Sequence, residues 1–222
     1  MHFEILVEDQ SGKKMLDCLI PKIIGEEHSF RVLSYKGIGN LPKNMKNPKE
    51  ASNRILLENL PKALRGFGKT YAAQGDNFKS AVIVVCDLDD KCLKQFRQQL
   101  IGLLDKCEPK PEARFCIAVE EGEAWLLGDI NAIEQAYQNV KEQCLKNYVN
   151  DSICGTWEVL ADAVYIGGSE KLSQKGWQAV GKEKSNWAEN ITPFMSIDDN
   201  KSPSFNYFKS KLIELTGSSE NS

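Results

Sequence analysis

The segment Ala81-Val82-Ile83-Val84-Val85-Cys86-Asp87-Leu88-Asp89-Asp90 decides how the rest of the chain is read. Residues 81–86 are apolar without interruption and rich in β-branched side chains. A strand with one wet face alternates apolar and polar residues, whereas a strand covered on both faces does not. The segment therefore predicts a central strand of a parallel sheet, and the acids that follow predict a polar rim at its carboxyl end.

Upstream, Phe3-Glu4-Ile5-Leu6-Val7-Glu8 is a second apolar run closed by an acid. Residues 13–24 carry Met15, Leu16, Leu19, Ile20 and Ile23 at helical spacing, with Pro21 weakening the last turn. Residues 30–35 read as another strand, followed by a polar loop over 41–49. A helix is expected over 51–64 on the stripe Ile55, Leu56, Leu60 and Leu64, kinked or split by Pro61. Downstream, residues 91–106 form a helix with Leu93, Phe96, Leu100, Leu103 and Leu104 inward. Residues 115–119 form a further strand, and a helix starts at Glu123.

Strand and helix thus alternate through residues 1–130. This predicts an α/β core with a mostly parallel sheet, right-handed crossovers and flanking helices. Residues 131–216 are mainly helical and read as an extension packed on that core. Residues 217–222 are short, polar and terminal, and are expected to be disordered.

Composition narrows the function. A net charge of −3 excludes a uniformly basic nucleic-acid clamp, but not an enzyme that meets phosphate through metal and a local basic patch. The seven cysteines contain no C-x-x-C, and there are only two histidines, so a zinc site is not expected. The odd cysteine count and the lack of a signal peptide point to a reducing cytoplasm. Cys86 and Cys116 lie inside apolar runs and read as buried hydrophobes. No apolar run approaches the roughly 20 residues of a membrane span.

Three apolar strands end in carboxylates: at Glu8, at Asp87 and Asp89, and at Glu120, Glu121 and Glu123. In a parallel sheet all three ends share the carboxyl edge, where open α/β sheets bind ligands. Asp87 and Asp89, two apart, would point to one side of an extended segment, with Glu8 facing them. Crowded carboxylates repel unless a cation neutralises them, and oxygen-only ligands suit Mg²⁺ or Mn²⁺. The plainer alternative is that Asp89 or Asp90 caps the helix starting near Lys91.

Other features carry less chemistry. Gly66-Phe67-Gly68-Lys69-Thr70 imitates the end of a phosphate-binding loop, but Ala63 stands where its first glycine belongs and no strand precedes it. Lys13, Lys43, Lys46, Lys49 and Arg65 are the candidate phosphate contacts. The four tryptophans read as core or interface anchors.

A first strand ending in glutamate, then a helix, then a later buried strand ending in D-x-D, resembles the Toprim fold of topoisomerases, primases and overcoming-lysogenization-defect (OLD) nucleases. The stretches at residues 60–67, 84–90, 117–129 (Ile-Ala-Val-Glu-Glu-Gly-Glu-Ala-Trp-Leu-Leu-Gly-Asp) and 202–205 (Ser-Pro-Ser-Phe) resemble more narrowly a family of uncharacterised bacterial Toprim-like proteins. The resemblance implies that Glu8 is a metal ligand or general acid/base, and that Asp87 and Asp89 bind metal. It implies that Glu120 and Glu123 hold a second metal or orient water. OLD-type nucleases carry a further acid four residues after the glutamate; here that residue is Gly12, so the second metal is left open.

What the resemblance implies is a Mg²⁺- or Mn²⁺-dependent nuclease acting on DNA in preference to RNA, and an effector in phage defence. No ATP site is visible in the chain, so the resemblance implies a separate ABC- or OLD-type ATPase partner. Assembly with further copies of the chain is left open. A non-catalytic metal-binding subunit that regulates or scaffolds such an ATPase is the alternative. A haloacid-dehalogenase-type phosphatase fits poorly, because its D-x-D normally follows the first strand.

Overall fold

A computed structural model describes residues 1–42, 54–75, 78–152 and 155–217. Four strands form one sheet: β1 (His2–Val7), β2 (Ser29–Ser34), β3 (Ser80–Asp87) and β4 (Ala113–Ala118), in spatial order β2-β1-β3-β4 and parallel throughout. The crossover helices are α1 (Gln10–Ile24), α2 (Leu56–Gln74) and α3 (Leu93–Leu104). The sheet is thus the α/β, Rossmann-like core expected from the uninterrupted apolar runs.

The pleat sorts the side chains into two cores. Phe3, Ile5, Val7, Ala81, Ile83, Val85, Cys116 and Ala118 face one side, against α1. Leu6, Val82, Val84, Cys86, Phe115 and Ile117 face the other, against α2 and α3. Alternate residues of one strand therefore serve different helix layers, which is why β3 has no polar face.

Beyond β4 the chain is helical: α4 (Glu123–Leu127), α5 (Ile130–Ala136), α6 (Glu142–Leu145), α7 (Thr156–Val164), α8 (Gly168–Ser173), α9 (Trp177–Ile191) and α10 (Pro203–Thr216), with a 3-10 turn at Thr192–Phe194. These helices share the first core rather than building their own. Trp187, Ile191, Phe205, Phe208 and Leu212 pack in one cluster with Phe3, Ile5 and Leu16. Two stretches that carry the family resemblance meet here: Trp125 donates from Nε1 to Ser204 Oγ at 2.9 Å, and its ring lies 5.7 Å from that of Phe205. The expected terminal tail falls at residues 218–222, outside the described residues.

Several expectations need correction. The helix expected over 51–64 is α2, which runs on to Gln74 and passes through Pro61 without a break. Pro61 sits in its second turn and forgoes a bond to the Leu57 carbonyl, yet the helix continues through it. The glycines that suggested a loop end are helical, and Gly68 permits close packing: a Cβ there would lie 1.9 Å from the Pro109 carbonyl oxygen. Leu93, expected inward, is exposed at the start of α3. Of the tryptophans, Trp125, Trp157 and Trp187 are buried, but Trp177 is 81 % exposed. Cys86 and Cys116 are buried as read from the sequence.

Candidate acidic centre at the carboxyl edge

The parallel register aligns the strand ends. Val7 pairs with Val85, and Asp87 with Ala118, so Glu8, Asp87 and the Glu120 block all emerge on one edge. Glu8 and Asp87 are brought together: Glu8 Oε2 lies 3.4 Å from the Asp87 backbone nitrogen. Both side chains are half-buried. They line a small cavity of about 30 Å³ with Asp9, Gly12, Gly122, Glu123 and Lys184.

Burial pushes the Glu8 carboxyl up from 4.5 to about 7, and the charges of Asp89 and Asp9 push the same way. Burial also drives Asp87 well above the usual carboxylate range, reinforced by Glu8 and opposed by Lys184. Two carboxyls held this close in a poorly solvated place cannot both ionise cheaply.

Asp89 is not where strand geometry would put it. β3 ends at Asp87, and Asp89 turns into the left-handed region at φ 50°. The two aspartates thus do not share a face by alternation. Asp89 instead acts on Glu8 through its charge and accepts from Lys91 Nζ at 2.5 Å. Neither Asp89 nor Asp90 caps a helix; α3 starts at Leu93 after Cys92, with no side-chain cap. The capping alternative is thereby removed.

The acids after β4 are engaged differently. Glu120, at φ 65°, accepts from the backbone N–H groups of Gly155 (2.7 Å) and Thr156 (2.9 Å), and so caps α7 from a distant strand end. Gly155 has no side chain to do so itself. Glu121 accepts from Lys184 Nζ at 2.9 Å and from the Thr156 hydroxyl at 3.3 Å. Glu123 is buried and lies 3.1 Å from Lys184 Nζ. Glu120, expected to hold metal or water, therefore spends both oxygens on protein donors, and Glu123, expected to do the same, has Oε2 paired with Lys184.

Lys184 was not foreseen. It projects from α9 at a core-facing position among Val180, Trp187, Ala188 and Ile191. Burial opposes its charge, but Glu123, Glu121 and Asp87 together outweigh burial and raise its pKa. The signal available in the sequence was a lysine interrupting an apolar helical stripe.

Of the basic candidates, Lys13 and Arg65 fall within the described residues. Lys13 pairs with Asp17 at 2.8 Å along α1. Arg65 donates to the Pro61 carbonyl at 3.1 Å, and its charge acts on Cys107, in the loop leading into the start of β4. That places it toward the opposite end of the sheet. Lys43, Lys46 and Lys49 lie outside the described residues. Gly12, the missing acid of the OLD pattern, is tightly fitted: a Cβ there would come 2.6 Å from Val7 Cγ2.

A hard divalent ion fits part of this donor set. Among the described residues no three His, Cys, Asp or Glu side chains are gathered to enclose a metal. Mg²⁺, however, keeps several waters and needs only one or two carboxylates. Glu8 and Asp87 line the cavity that could supply these, and the charge of Asp89 acts on Glu8. No protein-family model matches the chain, nor does any curated protein or solved structure. Among the described residues no helix is long and apolar enough to cross a membrane.

Proposed function

We propose that the chain is a divalent-metal-dependent nuclease that hydrolyses phosphodiester bonds, in DNA more than RNA. In this reading it serves in the cytoplasm as the effector of an ATPase-coupled phage-defence system. The observation that carries the reading is the meeting of Glu8 and Asp87. Two carboxylates from neighbouring strands are held within one small cavity, and each is pushed up by burial and by the other acids around it. The Toprim-like pattern of the sequence supplies the reaction class.

Glu8 and Asp87 would hold Mg²⁺ or Mn²⁺, and Asp89 would add its charge from the neighbouring cleft. A bound ion supplies charge neutralisation on the phosphodiester and acidifies a water molecule. The chain's residues do the rest. In the metal-free chain Glu8 is pushed up to about 7, and a bound cation would draw it back toward its charged, ligating form. The Lys184 ammonium opposes the rise of Asp87 and so favours its charged form. Trp125, Leu126 and Met15 line the cavity beside the two acids.

The test uses purified chain with supercoiled plasmid and with single-stranded DNA and RNA. Cleavage should require Mg²⁺ or Mn²⁺, stop with EDTA, and fall by about 100-fold or more in Asp87→Ala. Cleavage that Asp87→Ala leaves intact would remove the proposal.

A second reading, a non-catalytic subunit that binds metal and scaffolds an ATPase, is favoured by the outer cleft. Asp89, Asp90, Glu120, Glu121 and Glu158 line a space of about 280 Å³ there, and such a surface repels a phosphate backbone. Mn²⁺ binding that depends on Asp87, without cleavage of any of the three substrates, would select it.

A further inference from the structure

Lys184 brings a positive charge into the acidic centre on a rigid helix. Its ammonium group lies 2.9 Å from Glu121 Oε1 and 3.1 Å from Glu123 Oε2, and its side chain is only 15 % exposed. It also faces Asp87, for which it is the leading charge that favours ionisation. Two carboxylates thus hold one ammonium, whose charge also reaches Asp87. Two-metal centres place their ions roughly 4 Å apart and need carboxylates reaching both. Here the carboxylates that would reach a second ion are those already bound to Lys184.

Other routes to a second ion are blocked as well. Glu120 is committed to the start of α7 through two backbone N–H groups. Gly12 offers no side chain, and the space above its Cα is filled by Val7. Gly122 likewise offers no ligand, although a Cβ there would find only ordinary contacts, 3.6 Å from Met15 Cε and 4.0 Å from Asp87 Oδ1. Among the described residues, Glu8 and Asp87 line the cavity without an ion-pair partner, whereas Asp89 is paired with Lys91.

We infer that this centre takes one divalent ion, on Glu8 and Asp87, and that Lys184 occupies the carboxylates a second ion would require. The inference rests on the metal reading proposed above and deepens it. Lys184 is a positioning residue here: it fixes Glu121 and Glu123 against α9 and leaves Asp87 free to ligate. An ammonium cannot be stripped by a chelator, so half of the charge compensation would be permanent.

Stoichiometry tests this directly, by Mn²⁺ titration read by calorimetry and by the loss of free-ion EPR signal. The wild-type chain should bind one Mn²⁺. Lys184→Met should bind two, and millimolar Mn²⁺ should restore most of its lost melting temperature where Na⁺ at equal ionic strength does not. Glu123→Gln should keep the affinity for the first ion within about threefold, because Glu123 is not its ligand. Should Lys184→Met fail to fold, the Glu123→Gln titration decides alone. Two ions on the wild type, one ion on a folded Lys184→Met, or a tenfold or greater loss in Glu123→Gln overturns the inference and leaves the metal reading standing. No ion on the wild type removes both.

Discussion

The carboxylates at the ends of β1 and β3 and those at the end of β4 look alike in the sequence but are partnered differently by the fold, although burial raises Glu123 as it does Glu8. Glu8 and Asp87 are crowded, poorly solvated and pushed toward their protonated forms. Glu120, Glu121 and Glu123 are each met by a protein donor: the amino end of α7, the Thr156 hydroxyl or Lys184. An acid whose charge is satisfied locally fastens structure, whereas an acid left uncompensated is available to a ligand. The helical region makes the difference, because it supplies every donor the β4 acids use.

The largest effect expected from breaking this contrast follows Lys184→Met. Removing one partner of a buried ion pair leaves the other charge stranded, which costs about 3–5 kcal/mol. Glu121 and Glu123 would both be stranded at neutral pH. Chemical denaturation should show the loss, and it should shrink as the pH falls and Glu123, already raised by burial, takes up a proton. A loss below about 1 kcal/mol would mean that the pair is as weak as an ordinary surface bridge.

Glu8 should behave in the opposite sense. Its carboxyl titrates at about 7 in the folded chain and near 4.5 otherwise. Between those values the folded state binds a proton that the unfolded state has lost, so stability falls as pH rises from 4.5 to 7 and levels off above. Glu8→Gln abolishes that dependence. It should match the wild type near pH 4 and exceed it near pH 8 by about 2–3 kcal/mol. Added Mn²⁺ should close that gap by stabilising the wild type and leaving Glu8→Gln unchanged. A variant less stable than the wild type at pH 8 would show that Glu8 is already compensated.

A third effect is smaller. Glu120→Ala removes two acceptors from the start of α7 and should cost about 1–2 kcal/mol. Glu120→Gly removes the same acceptors but relieves the left-handed backbone, so it should be less damaging by about 1 kcal/mol. Urea unfolding of the pair separates the cap from the strain. Equal losses would show that φ 65° is not strained at this position.

Much of the frame could be read from the chain, because burial on both faces writes itself as unbroken apolar runs. The strands, their shared carboxyl edge and the nearness of Glu8 to Asp87 follow from β1 and β3 alone. The partners of the other acids could not be read so. Glu120 meets Gly155 and Thr156, 35 and 36 residues away, and Lys184 reaches Glu121 from 63 residues away. Such pairings depend on how helices pack, and helical periodicity gives the face without the neighbour. The D-x-D pattern misled on geometry because a strand end need not continue the strand's alternation, and Asp89 turns out of it.

Asp89 gives the finest test of the contrast, since it stands between the two classes. It has a donor of its own in Lys91, yet it is the leading charge acting on Glu8. Asp89→Asn keeps the shape and removes the charge. If Asp89 truly belongs with Glu8 and Asp87, the Glu8 carboxyl should titrate lower, by under one unit, because burial rather than Asp89 is the larger cause. Carboxyl-carbon NMR titration of the metal-free chain reads this shift. An unmoved Glu8 would mean that Lys91 already cancels Asp89, which would then count among the acids that fasten structure. In that event a metal at this edge would rest on Glu8 and Asp87 alone, with water completing its shell.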